Sequence, residues 1–246
     1  HWVLIRDTSA PRPRAPTRDE PPPPYLRSGP GPTQPAHHAV ASVAGGLTRK
    51  RGSTRRAMLV TAVDVLRERG AAGVTIDEVL ARSGAPRGSV YYHFPQGRSQ
   101  LLIEALNYAG DSLTEVIDAA ADRGGIALVR QFVAFWERAL AGSAYTAGCP
   151  VMAAAISSTE DDSVLATAAG EIFARWRDAL SQTFRRDGFE SAEAESLAVM
   201  CIAALEGAVV LCRSARTPEP LHQVGHQLEF LIKSREFVRV YGIPGR

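Results

Sequence analysis

The chain has 246 residues, 45% of them apolar, enough to build a sizeable core in one large domain or two small ones. Net charge is only +2, and no run of about eighteen uncharged apolar residues occurs, so no membrane-spanning helix is expected. The three cysteines, Cys149, Cys201 and Cys212, are an odd number without metal-ligand spacing. They fit a reducing cytoplasm in which thiols act as small hydrophobes, with redox sensing as the alternative.

The first 47 residues hold ten of the sixteen prolines, including the run Pro21–Pro24, and no apolar periodicity that would repay ordering. They are expected to form a disordered arm. The arm lacks a secretory signal's apolar run and cleavage site, and it opens on His1 rather than Met, so the natural start is read as lying elsewhere. Charge then divides sharply. Residues 48–100 carry ten Arg/Lys against four Asp/Glu, and residues 101–246 carry thirteen against nineteen. A basic segment beside an acidic bulk suits a protein of which one part meets a polyanion. Arg49, Lys50, Arg51, Arg55 and Arg56 head that segment, and either track phosphates or form a solvated tail.

Leu59, Ala62, Val63 and Leu66 recur at helical spacing, and Gly70 is expected to stop that helix. Residues 74–94 then read VTIDEVLARSGAPRGSVYYHF. Thr75 is an N-cap candidate, with Glu78 placed to close a capping box and Val74 and Val79 to form a hydrophobic staple. Ser83–Gly84–Ala85 predicts a tight turn. Pro86 suits the first position of a second, short helix, which Pro95 ends. Helix, tight turn and short helix make a helix-turn-helix, although a plain αα corner has the same outline. Its outer face would offer Arg87, Gly88, Ser89, Tyr91, Tyr92 and His93. Arginine suits guanine edges and serine suits bases or phosphates. A glycine lets the backbone approach the groove, while Tyr and His hydroxyl or imidazole groups suit phosphates. Val90 and Phe94 would face inward.

This string resembles the DNA-binding signature of TetR-family repressors, with YYHF its most distinctive piece, and the resemblance spans residues 53–105. The PQGRSQL stretch is one residue longer than the usual family form. Arg98 stands where a lysine is usual, and the resemblance implies a phosphate contact there, as would a helix N-terminus. The longer turn and GCPV at Gly148–Val151 resemble the LmrA/YxaF-like branch.

Further helices are expected over Leu101–Ile117, Val129–Leu140, Val164–Phe184, Leu197–Cys212 and Leu221–Ile232. Breaks are expected at Gly124–Gly125, Gly148–Pro150, Gly188 and Thr217–Pro220. No strand pattern appears. The expected fold is all-α: a three-helix head with the helix-turn-helix at 48–105, then a helical ligand-binding and dimerisation body at 106–246. Phe132, Phe135, Trp136, Phe173 and Trp176 read chiefly as core. The resemblance implies a cavity for a small apolar effector, for which Phe132, Trp136, Met152, Phe173 and Trp176 are the candidates. It also implies a homodimer through the last two long helices, where Ala203, Ala204, Leu205, Gly207, Ala208, Leu211, Leu228 and Leu231 are suited to close contact. Asp161 and Asp162 read as helix caps. His222 and His226 share a helix face, but Gln223 replaces the glutamate a zinc protease would need, so no metal, cofactor or catalysis is expected. The expected function is repression from a palindromic operator, relieved by the effector. The alternatives are an activator or ligand-independent regulator of the same fold, and a helical enzyme or binding protein without DNA recognition.

Overall fold

In the computed structural model, residues 51–157 and 163–242 are described; the proline-rich arm, Arg49, Lys50, Asp161 and Asp162 lie outside them. The described residues form nine α-helices and no strand. They are α1 (Arg51–Gly73), α2 (Ile76–Ser83), α3 (Ser89–His93), α4 (Arg98–Ala121), α5 (Gly125–Gly142), α6 (Pro150–Ala155), α7 (Ser163–Arg186), α8 (Ser191–Ala215) and α9 (Glu219–Tyr241).

Punctuation in the sequence sets most of these boundaries. Gly70 adopts a left-handed φ of 73° and breaks α1 three residues before its end. Thr75 caps α2, its hydroxyl accepting from Glu78 N at 3.1 Å, and Gly84 closes the helix in the left-handed region with its N–H on Leu80 O. Only half of the expected capping box forms, because the Glu78 carboxylate turns instead to Arg69 and Arg82. Pro86 lies outside α3, in a turn whose carbonyl accepts from Ser89 N, so the short helix starts three residues later than the proline suggested. The helix α6, too short to show a period, begins at Pro150 behind a Cys149 cap whose Sγ accepts from Met152 N.

One buried apolar cluster runs through the described residues. Met58, Ala62 and Leu66 of α1 belong to it with Val79 of α2, Val90 of α3, Phe94 and Leu101 of α4, as do Leu113, Trp136, Trp176 and Cys201 of the body. The helix α1 packs on both α2 and α4, and also on α6. It therefore belongs to the head and the body alike, while α4 passes residue 105 without a break. Burying such side chains contributes roughly 1.5–3 kcal/mol each relative to exposure. The pairs α4–α7, α7–α8 and α8–α9 complete the body.

By length and composition alone α8 holds an apolar window that could cross a membrane, interrupted by Glu206, as the core helix of a folded body also can. Nearly half of that window is buried inside the fold, where Leu197, Cys201, Leu205, Ala208, Val209 and Cys212 face the core.

Candidate functional site

The head places two tyrosines outward on a helix of five residues. Val90 and Phe94 are fully buried, while Tyr91 and Tyr92 are 64% and 65% exposed. A large aromatic side chain held in solvent by buried neighbours on either side is available to a partner. His93 is half-buried with its ring edge-on to Tyr92 at 4.9 Å. Gly88 has open space where a Cβ would stand, so a docking backbone meets no protein atom there. Ser89 Oγ donates to Pro86 O at 2.5 Å, which leaves its oxygen free only to accept. Arg87 extends from the turn and its Nη2 meets Asp77 Oδ1 at 2.5 Å. Asp77, in the first turn of α2, was not singled out from sequence. An acid there reads as ordinary helix-dipole complement.

Arg98 opens α4, as the sequence suggested, and its guanidinium is engaged by the backbone. Its Nε donates to Val74 O and its Nη2 to Ala71 O, each at 2.7 Å. The guanidinium ties the start of α4 to the α1–α2 connection, a planar fork that bridges two carbonyls. Arg55 lies over the Phe94 ring at 5.4 Å and pairs with Glu104 of α4, so this member of the basic run is partly engaged within the head. Arg56 is exposed.

A second feature is a cavity of about 240 Å³ between α1, α4, α5, α6 and α7. Of the five aromatic and Met candidates, Trp136 and Trp176 line it, and Phe135, Tyr108, Asp64 and Arg67 join them. Phe132 is buried, and Phe173 packs edge-on against Trp176; neither of them, nor Met152, is in the wall. Phe132 and Trp136 share a face of α5 one turn apart, so position along the helix decides this: only the turn at Phe135 and Trp136 borders the cavity. Trp176 Nε1 donates to Thr114 Oγ1 at 3.2 Å, whereas the buried Trp136 Nε1 has no partner among the described residues.

Arg67 connects cavity and backbone. Its Nε donates to Gly148 O at 3.1 Å while Gly148 N returns a bond to Arg67 O at 3.0 Å. Arg213 of α8 reaches the same place, donating to Thr146 O at 2.7 Å and to Glu68 O at 3.4 Å. Within this loop Ala144 and Tyr145 hold left-handed φ values of 48° and 62°, conformations that side chains other than glycine adopt at a cost of about 1–3 kcal/mol.

Beside the wall residue Cys149, burial pushes the Glu206 carboxyl up to about 7, and elsewhere in the core it pushes the Cys201 thiol up to about 12. Burial, then the neighbouring Glu206, also raises the Cys149 thiol. All three thiols are free and buried, and a protonated buried thiol is a poor nucleophile.

The expected contact residues of α8 and α9 fall on two faces. Leu205, Ala208 and Leu228 are buried within the chain's own core, so they cannot form a free face. Gly207 and Leu211 are exposed, and Ala204 and Leu231 half-exposed. The outward face also holds Val199, Met200, Val210 and Phe230, which sequence reasoning missed. Met200, Ala204, Val224, Phe230 and Leu231 border a shallow apolar groove with Leu228 at its floor. His222 lies 3.4 Å from Glu137, and no group of three or more metal-ligating side chains occurs among the described residues.

An exposed aromatic helix presented after a tight turn, on a body of long helices, defines a helix-turn-helix regulator. Family comparison gives the same class: residues 58–105 match the tetR family of bacterial regulatory proteins, and residues 125–227 match the LmrA/YxaF-like transcriptional regulator C-terminal domain. An uncharacterized HTH-type transcriptional regulator of Mycobacterium tuberculosis is 39% identical over 184 residues, covering 72% of this chain and 93% of that protein. The HTH-type transcriptional regulator LmrA of Bacillus subtilis is 27% identical over 187 residues, covering 74% and 98%. The fold is shared with the TetR-family regulator CifR, solved as a cysteine mutant with a 26bp double-strand operator DNA, at TM-score 0.61, 21% identity and coverage of 71% and 94%. The chain belongs to the TetR family, as a DNA-binding transcriptional regulator and not an enzyme.

Proposed function

We propose that the chain is a cytoplasmic, ligand-responsive repressor that grips a palindromic operator as a homodimer and is released by a small, mostly apolar effector. The observation that carries this reading is the sharing of α1. One helix supports the exposed reading head, contributes Arg67 and Asp64 to the cavity wall, and is bonded in both directions to Gly148. An effector that displaces Arg67 would therefore move the head relative to α6 and α8, and it needs only a difference in affinity between two head positions to shift DNA binding. The unpartnered Trp136 Nε1 favours an effector with a hydrogen-bond acceptor among aromatic or aliphatic surface, because a buried donor left unpaired costs about 1–3 kcal/mol.

On DNA, Arg87 is the base reader, Gly88 admits the groove wall, and Ser89, Tyr91, Tyr92 and His93 take phosphates or base edges. Thr75 lies at the N-terminus of α2, where backbone amides favour a phosphate. The outward face of α8 and α9 is the self-association surface. Paired reading helices would then sit about 34–36 Å apart. Selection of the full chain on a random duplex library tests the reading. A motif with dyad symmetry, whose preference at one base pair relaxes on Arg87→Ala, is the expected result; enrichment of a single asymmetric half-site would overturn the dimeric mode.

A further inference from the structure

The reading head carries an acid where a DNA-binding surface would ordinarily avoid one. Asp77 and Arg87 are 77% and 83% exposed at their side chains, yet their Oδ1 and Nη2 atoms meet at 2.5 Å. They stand ten residues apart, on α2 and on the turn before α3, so the pair bridges the two halves of the helix-turn-helix. As an acid in the first turn of α2, Asp77 complements the helix dipole, but that role needs no arginine ten residues away and Glu78 already fills it. The N-cap of α2 is already supplied by Thr75, and Glu78, the next residue, takes the structural ion pairs with Arg69 and Arg82.

We infer that Asp77 is a specificity-determining residue of the head, which aims the Arg87 guanidinium at a guanine edge and keeps it off the phosphates. This rests on the reading of Arg87 as the base contact. Three physical points support it. A guanidinium has five N–H groups in a fixed fork, so one bond to Asp77 leaves enough donors for a bidentate guanine contact while removing rotational freedom. The second oxygen of Asp77 stays available as an acceptor and suits the N4 amino group of a cytosine beside that guanine. The negative charge also repels the phosphate backbone, which penalises every register in which Arg87 merely sits on phosphate. Specificity grows when wrong partners are penalised as well as the right one favoured. An exposed ion pair adds little to folding stability, a median of about 0–1 kcal/mol, so selection for stability does not account for it.

The test uses the full chain and a random duplex library, with wild type, Asp77→Asn, Asp77→Glu and Arg87→Ala compared side by side. Wild type is expected to enrich a motif with one guanine position that Arg87→Ala loses. Asp77→Asn should relax preference at that same position by roughly tenfold, the scale of one lost base contact. It should also bind a non-selected duplex more tightly, with a salt dependence steeper by about one phosphate contact. Asp77→Glu, which keeps the acid on a longer arm, should recover part of the preference. A role confined to folding would shift melting without moving the base profile. If wild type enriches a motif that depends on Arg87 and Asp77→Asn reproduces both the profile and the non-selected affinity, the inference is wrong. If Arg87→Ala leaves the motif intact, the base-reading role itself fails, a separate outcome.

Discussion

At the scale of single residues, two side chains have environments that decide their behaviour. Glu206 is buried with the Cys149 thiol as its polar neighbour, and burial raises its pKa from 4.5 to about 7. A raised carboxyl means that the folded chain holds a proton the unfolded chain has already released. Its contribution to stability is fully present below pH 4.5 and is lost as pH rises towards 7, an effect on the order of 3 kcal/mol. Glu206→Gln should therefore remove this loss and leave the variant more stable than wild type at pH 8, by urea unfolding at pH 5 and pH 8. Equal pH dependence in the two proteins would show that the acid is solvated. Arg98 supplies the other case. Because its fork bridges Ala71 O and Val74 O, Arg98→Lys keeps the charge but loses the bridge. The expected result is destabilisation of about 1–3 kcal/mol and weaker DNA binding, whereas a simple phosphate contact would tolerate lysine.

At the scale of elements, close approach sets the positions of α5 and α7. A Cβ on Gly125 would stand 2.2 Å from Phe184 Cε1, and Gly125 N donates to Asp187 Oδ2 at 2.7 Å. The start of α5 is thus locked against the end of α7 by a missing side chain and one hydrogen bond. Phe184 is buried and cannot swing clear, so Gly125→Ala is expected to cost about 1–3 kcal/mol or more by overpacking. A thermal melt unchanged from wild type would mean that α5 slides freely. The same glycine break was visible in sequence, but its packing partner was not.

At the scale of the whole molecule, the proposed mechanism requires a second copy to cover the outward face of α8. A Cβ added at Gly207 would meet nothing within 4 Å inside its own chain. Gly207→Leu should accordingly leave the protomer intact, and helix propensity favours leucine over glycine by up to about 1 kcal/mol. In a face-to-face helix contact the same leucine forces the copies apart. Sedimentation should show a monomer with unchanged helical circular dichroism and weakened operator binding, since two half-sites are no longer held as one unit. A stable dimer with full DNA affinity would place the interface on other helices.

The sequence by itself determined the all-helical class, most helix boundaries and the reading head. These depend on local signals: a threonine cap, a left-handed glycine, prolines that exclude helix, and apolar residues at helical spacing. It also placed Tyr91 and Tyr92 outward, because Val90 and Phe94 fixed the inner face of so short a helix. The tertiary structure alone decided what depends on neighbours distant in the chain. The helix α8 is apolar nearly all round, so no period marks which face is inner, and Leu205 and Ala208 proved to be core while Val199 and Met200 stayed outside. Likewise nothing in the sequence singled out Asp64 and Arg67, one turn apart on α1. Only the packing of α1 against α4 and α6 turned them into the wall of a cavity, and no local pattern records that packing.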